Sequence, residues 1–433
     1  MGESPKPLAA TGGTLPSDGF SKTLVFQGPD AQNNAALRAV GSGNGFDGTG
    51  NNVNVIQVDT ANQYIYVGGT FSSIGGSLNT SVAQYNMATS TWVDAGNSNV
   101  SFDGSNIFDM LLLERNGHLI VTGDMSNIGP STVLNGLWAE FNPFTNAWTA
   151  LPGTFPSGAG SQMTAILMNS QGTIIYLLLS QSLVIYTIAT SIYVTAVTFS
   201  PQPSTKMCFD QTQANIYFCV NNGGTFLNVY NIVGNTSSVV SGGPTASISG
   251  ISLLLRNSVY YIALVGTFTN VGPYVSLYNP TATTFTSILA QTTGFTATVA
   301  VRSSYVDYYN NWYVGSGQSP RLFCLPTNGT TWFSPAGGFT FGTIYSIFGT
   351  GNVSNGPSSA QTIYVGGTVR NTAINVYTFA RLNMTNNVTS TYITNGFTTN
   401  NLQLKVKGSS ANILWNNTLS SWIVTSSSNT LSY

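Results

Sequence analysis

The chain has 433 residues, 42% of them hydrophobic, so it can bury a large core as one closed domain or as several smaller ones. Only 6% of the residues are charged, with a net charge of −1, where an ordinary soluble domain carries about 25%. That balance excludes a charge-rich disordered chain and a basic nucleic-acid binder, and three cysteines are too few for a disulfide framework.

The first twenty residues, "MGESPKPLAATGGTLPSDGF", contain no apolar stretch of signal-peptide type. The myristoylation pattern also fails, because Lys6 stands where Ser or Thr is needed. Residues 1–21 therefore read as a Pro/Gly-rich arm and 22–433 as the folded body. "AALRAVGSG" (35–43) reads as an outer strand without a sheet of its own.

From there a strand that ends on glycine recurs. It appears as "YIYVGGTFSSIGG" from Tyr64, "LIVTGDMSNIGP" from Leu119, "ALVGTFTNVGP" from Ala263, "WYVGSG" from Trp312 and "TIYVGGT" from Thr362. Weaker copies are "TIIYLLLS", "NIYFCVNNGG" and "ANILWNN". The aligned residues Tyr66, Val121, Tyr176, Tyr217, Ala263, Tyr313, Tyr364 and Leu414 are separated by 55, 55, 41, 46, 50, 51 and 50 positions. A second series, out of phase with the first, places Phe46, Phe102, Phe155, Phe199, Phe295, Phe339 and Phe397 in turn-rich segments before apolar strands. A period near 50 built from strands and turns predicts propeller blades.

The repeat from Val53 to Gly96 shows the unit: "VNVIQVD", "YIYVGG", "SVAQYN" and "TWVDAG" are four strands joined by polar turns. Such a meander cannot bury both faces alone, so blades must stack around an axis. The glycines are expected to let neighbouring backbones approach. The predicted fold is all-β: a single β-propeller of four-stranded antiparallel blades, with almost no helix. Eight blades are favoured, at about 46–101, 102–154, 155–198, 199–245, 246–294, 295–338, 339–396 and 397–433, with seven as the alternative. The last repeat lacks its outer strand, so residues 35–43 are expected to pair with it and close the ring. The uncharged stretch Thr173 to Phe199 is long enough to suggest a membrane span. It is rich in β-branched residues and in register with the repeats, so it reads as blade strands instead. Cys208 and Cys219 fall on successive strands and read as a reduced, buried pair.

"YNMATSTW" (Tyr85 to Trp92), "FNPFTNAW" (Phe141 to Trp148) and "YNPTATTF" (Tyr278 to Phe285) each place an aromatic residue seven positions before another, across an Asn-containing turn. With the upstream double glycine, the pattern resembles the kelch repeat of galactose-oxidase-like propellers. The resemblance implies an architecture and no particular activity. The copper site of that family needs two histidines, and this chain has one, His118, which reads as an exposed residue after an Asn-Gly turn.

Two features remain as candidate sites. Asp47 and Asp103 lie in matching Asp-Gly turns, where their oxygens suit Ca²⁺ or, without an ion, an Asx turn. In "YVDYYNNWY", Tyr305, Tyr308, Tyr309 and Trp312 gather around Asp307, a composition suited to stacking on a sugar, though strand alternation would bury about half of such residues. No catalytic residues, cofactor or metal are assigned. Eleven acids and four bases occupy residues 1–140, and two acids and eight bases occupy 141–433. An acidic sector facing a mildly basic one suggests oriented docking against neighbours, with the acidic sector and the arm in contact. The sequence therefore predicts a non-enzymatic structural or interaction module. It would sit on a virion or extracellular surface, with other subunits or capsid proteins as partners, and with neither nucleic acid nor a membrane span. The alternative is a glycan-binding or glycan-processing surface propeller.

Overall fold

The computed structural model describes residues 37–39, 52–71, 73–74, 77–78, 81–95, 106–123, 127–128, 132–133, 138–153, 155–156, 162–199, 206–307, 309–318, 321–334, 342–350, 361–371, 376–384, 403–405, 412–416 and 421–424. It divides into two compact units, 31–386 and a second one of 1–30 with 387–433. The larger unit is a β-propeller. In chain order its first sheet is Asn52–Asp59, Tyr64–Thr70, Val82–Asn86 and Thr91–Asp94. The second is Ile107–Leu113, His118–Gly123, Trp138–Asn142 and Ala147–Ala150. The third is Met163–Met168, Ile174–Leu179, Ser182–Thr187 and Ile192–Thr198. The fourth is Met207–Phe209, Asn215–Asn222, Thr225–Asn231 and Thr236–Val239. The fifth is Ile248–Arg256, Val259–Gly266, Val275–Asn279 and Thr284–Thr286. All five are antiparallel meanders. The sixth has three strands, Val301–Val306, Trp312–Ser316 and Leu322–Leu325. The last is Ile344–Thr350, Gln361–Asn371 and Val376–Met384, with Leu37–Ala39 as its fourth strand. The one helical element among the described residues is a 3₁₀ turn at Ile288–Ala290.

Among the described residues the four-stranded blades number six, and this corrects the expected eight and the alternative of seven. The shortfall has two local causes. In the sixth sheet a fourth strand is replaced by a single bridge, in which Phe333 and Cys324 exchange backbone hydrogen bonds of 2.8 and 3.0 Å. The bulky Trp332 fills the space beside it and is buried. The described residues of the expected eighth repeat are three short strands, Gln403–Lys405, Asn412–Asn416 and Ser421–Val424, in the smaller unit. Ring closure by pairing 35–43 with that repeat is likewise corrected: Leu37, Arg38 and Ala39 pair with Leu382, Arg381 and Ala380.

The core is a series of seams between sheets. Tyr66 and Val55 of the first sheet pack with Ile107, Met110 and Phe141 of the second. Tyr176 and Leu178 of the third pack with Met207 and Phe218 of the fourth. Tyr364 of the last sheet packs with Val53, Ile65 and Val67 of the first. The second strand of each blade is buried on both faces; "YIYVGG" is nearly all inaccessible. That explains its glycine ending. A Cβ on Gly68 would stand 2.6 Å from Ile107 Cγ2 of the next sheet, and one on Gly69 2.0 Å from the Asn52 carbonyl oxygen of its own. The small residues are there because two backbones meet.

The innermost strands of every propeller sheet but the fourth share a bulge near their start. Register shifts between Val53 and Val55, Ile107 and Asp109, Met163 and Ala165, Ile248 and Gly250, Val301 and Ser303, and Ile344 and Ser346. A bulge adds twist and re-aims the following side chains. Asn54, Gln57, Asp109, Ser303 and Ser346, at or just after these bulges, line one cavity. Thr173 to Phe199 forms strands of the third sheet, and no described helix is long and apolar enough to cross a membrane. Cys208 and Cys219 are unbridged and lie on adjacent strands, but Cys208 pairs with Tyr217, so they are not direct cross-strand partners.

Candidate functional site

The bulged innermost strands surround an axial cavity of ≈ 180 Å³. It is lined by Asn54 and Gln57 of the first sheet, Asp109 of the second, Lys206 before the fourth, Ser303 of the sixth, and Tyr345 and Ser346 of the last. Most of these polar groups already bridge sheets. Asn54 Nδ2 donates to Asn106 Oδ1 at 2.6 Å and to the Ile107 carbonyl at 3.0 Å. Gln57 Nε2 donates to the Met110 carbonyl at 2.9 Å. Ser303 Oγ donates to the Ile344 carbonyl at 3.2 Å, and Ser346 Oγ to the Val53 carbonyl at 3.4 Å.

Asp109 and Lys206 are the charged pair of the cavity, 3.7 Å apart. Asp109 Oδ1 accepts the Met110 amide at 3.1 Å, and Oδ2 accepts the Ile166 amide of the third sheet at 3.2 Å. Lys206 Nζ also donates to the Phe108 carbonyl at 3.3 Å. Burial pushes the Asp109 carboxyl above its ordinary range, against the lowering effect of Lys206 and the two amides. One carboxylate thus joins three sheets. Among the described residues no second carboxylate, thiol or imidazole lines the cavity, and no group of three potential metal ligands occurs. Sequence reading missed this pair because its members lie on different sheets. The available signal was scarcity: Lys206 is the sole lysine or arginine between Arg115 and Arg256.

Most of the aromatic cluster singled out from sequence falls among the described residues. Asp307 is buried, and its Oδ1 accepts the amides of Tyr309 and Asn311 at 2.9 and 2.8 Å while Oδ2 accepts Asn311 Nδ2 at 2.8 Å. Asp59 and Asp210 hold their own turns in the same way, each with both oxygens engaged. Trp312 is fully buried against Trp332, ring centroids 5.4 Å apart, and its Nε1 donates to Ser304 Oγ. Tyr305 donates its hydroxyl to the Gly349 carbonyl of the last sheet at 2.8 Å and packs on Phe348. Burial raises its pKa, with the nearby Asp307 adding to the shift. Tyr309 is half-buried in the turn. The described members of the cluster thus build a turn, through Asp307 and Tyr309, and a seam, through Tyr305 and Trp312. Tyr308, Asp47 and Asp103 lie outside the described residues. His118, expected as an exposed turn residue, is half-buried at the start of a strand, with Nδ1 2.6 Å from Glu140 Oε1.

Residues 37–202, which span the first three sheets, match the family model of the Rax2 C-terminal beta propeller domain. No curated protein gives a significant match. Among solved structures, the extracellular domain of a putative hybrid two-component system from B. thetaiotaomicron is 13% identical with a TM-score of 0.54, over 80% of this chain and 39% of that one. A second such extracellular domain from the same organism is 10% identical with a TM-score of 0.53, over 88% and 46%. U3-55K is 11% identical with a TM-score of 0.53, over 81% and 98%. This chain therefore spans less than half the length of those two extracellular domains. At such identities the likeness concerns the fold, and with the sheet topology and the family match it establishes a β-propeller.

Proposed function

We propose that the propeller is a non-enzymatic structural or interaction module that works docked to other protein subunits at an extracellular or particle surface. The observation that carries this reading is the use made of scarce charge. Asp59, Asp210 and Asp307 close turns, and Asp109 ties three sheets. Arg256 donates to the Gly329 carbonyl and Arg321 to the Gly342 carbonyl, each at 2.7 Å. A chain that commits its ionisable groups to its own framework offers a rigid platform rather than acid–base chemistry. Two of the similar structures are extracellular domains, which supports a surface setting. Nothing in the fold selects a virus particle, and the kelch-like hairpins support only a shared way of building blades.

Sedimentation of the native material in moderate salt tests the reading, since a surface poor in charge has little repulsion to keep molecules apart. The expected result is a propeller that travels with a bound protein partner. A lone 45.7 kDa species, or turnover of a glycan substrate that Asp109→Asn abolishes without lowering the melting temperature, overturns it.

A further inference from the structure

We propose that the pocket between the third and fourth sheets binds a neutral sugar residue. This pocket is separate from the axial cavity. It is formed by two turns that connect the first and second strands of neighbouring sheets, residues 169–173 and 210–214. Each turn is fixed from within. Asn169 Oδ1 accepts the amides of Thr173 and Ile174 at 2.9 and 3.0 Å. Asp210 Oδ1 accepts the Ala214 amide at 3.0 Å, and Oδ2 accepts Asn215 Nδ2 at 2.7 Å. The Ser170 amide then donates to Gln213 Oε1 at 2.9 Å and ties one turn to the other across the seam.

The space between the turns is ≈ 360 Å³, inside the range of about 300–1,000 Å³ for small-ligand sites. Its inner wall is apolar, with Tyr176 and Phe209 meeting edge to face at 5.6 Å and 84° between Ile174 and Ile232. Its rim carries Gln171, Gln211, Thr212 and the clamped Gln213. Gln171 and Gln211 are exposed there. Tyr176 is buried, with its ring forming part of the wall. The one carboxylate nearby, Asp210, is turned into its own loop and does not line the space.

Aromatic and aliphatic side chains beneath a rim of amides and hydroxyls, with no lysine, arginine or carboxylate among the lining residues, match a ligand with an apolar face and several hydroxyls that both donate and accept. A pyranose has that chemistry. An anion or a cation would find no counter-charge, and a long apolar ligand would leave the rim amides unpaired. The clamp between Ser170 and Gln213 fixes the spacing of the turns before binding, which reduces the ordering cost.

The test uses the full chain and saturation-transfer NMR with galactose, glucose, mannose and N-acetylglucosamine at millimolar concentration. Saturation of the ring protons of at least one sugar is expected, unchanged between low and high salt because no charge is involved. The double variant Gln171→Ala, Gln211→Ala should weaken that sugar about tenfold, the value of two lost hydrogen bonds, with an unchanged melting temperature. Phe209→Leu should weaken it further while the double variant keeps the fold as the reference. No saturation by any of the four sugars, binding unaltered in the double variant, or binding that falls with salt overturns the proposal. The outcome is independent of whether the propeller docks to a protein partner.

Discussion

Asp109 shows how one side chain sets both stability and pH response. Its folded-state pKa is raised by burial above the ordinary 3.8. The folded protein therefore holds the Asp109 proton more tightly than the unfolded chain does. The sign follows from linkage: the charged form costs stability at neutral pH, and that cost is relieved as pH falls through the raised value toward 3.8. Asp109→Asn keeps an oxygen for the Ile166 amide and removes the buried charge. Urea titrations from neutral to mildly acidic pH should show the parent gaining stability relative to the variant on acidification. A constant difference between them would remove Asp109 as the source. Glycine gives a second contrast at this scale. Gly69→Ala places a Cβ 2.0 Å from a backbone oxygen and should cost at least about 3 kcal/mol. Gly172, at φ +66 with open space around it, should cost only about 1 kcal/mol on the same change, from backbone strain alone. Equal costs in chemical denaturation would mean that the tight seam at Gly69 relaxes freely.

At the scale of the element, the recurring unit is the hairpin that ends a blade. Tyr85 and Trp92, Phe141 and Trp148, and Tyr278 and Phe285 are direct cross-strand partners, with ring centroids 5.0, 4.9 and 4.8 Å apart. Between them Asn86, Asn142 and Asn279 each accept two turn amides through Oδ1. The turn then closes on a left-handed residue: Ser90, Asn146, Ser191, Asn235 or Thr283. This hairpin was legible in the sequence because every contact in it lies within eight consecutive residues. The turn-closing role of Asp307 is harder to read for a related reason. Its aromatic neighbours drew attention, while the matching turn geometry at Asp59 and Asp210 shows only in three dimensions. The Asp109–Lys206 pair was not legible, since nothing local marks which inward-facing residues meet across an axis.

The same hairpin yields two predictions. Thr283 is β-branched at φ +53, where Asn146 and Asn235 stand in equivalent turns. Thr283→Asn should stabilise the protein by about 1 kcal/mol by relieving that strain, read as a higher denaturation midpoint. No gain would mean the hydroxyl bond from Thr283 to the Ala282 carbonyl (2.8 Å) offsets it. In the third sheet, Tyr193 accepts a hydrogen bond from the buried Trp138 Nε1 of the second at 3.0 Å, within a cluster that includes Tyr186 and Phe155. Tyr193→Phe keeps the ring and strands the indole N–H. A cost of about 1–3 kcal/mol is expected. A neutral result would show that the seam between these blades rests on ring packing alone.

For the whole molecule, the question is which segments hold the ring together. The sheet built on Ile344–Met384 meets the first sheet directly. Ser346 reaches the Val53 carbonyl, and Tyr364 and Phe348 pack into the cluster of Val53, Ile65, Val67 and Tyr85. A Cβ on Gly366 would stand 2.4 Å from Val53 Cγ1, so the two sheets are in full van der Waals contact. The described contacts of this joint lie within residues 31–386. A polypeptide of residues 31–386 should fold and unfold in one cooperative transition, within a few degrees of the full chain. A polypeptide ending before Ile344 should behave differently, because it uncovers Val53, Ile56 and Tyr85, all buried in the intact unit. Exposing that seam removes the apolar burial that makes a blade stable beside its neighbour. Calorimetry of the two truncations decides the matter. A midpoint for 31–386 that drops well below that of the full chain, or a cooperative transition that survives loss of the sheet from Ile344, would place the closure of the ring elsewhere.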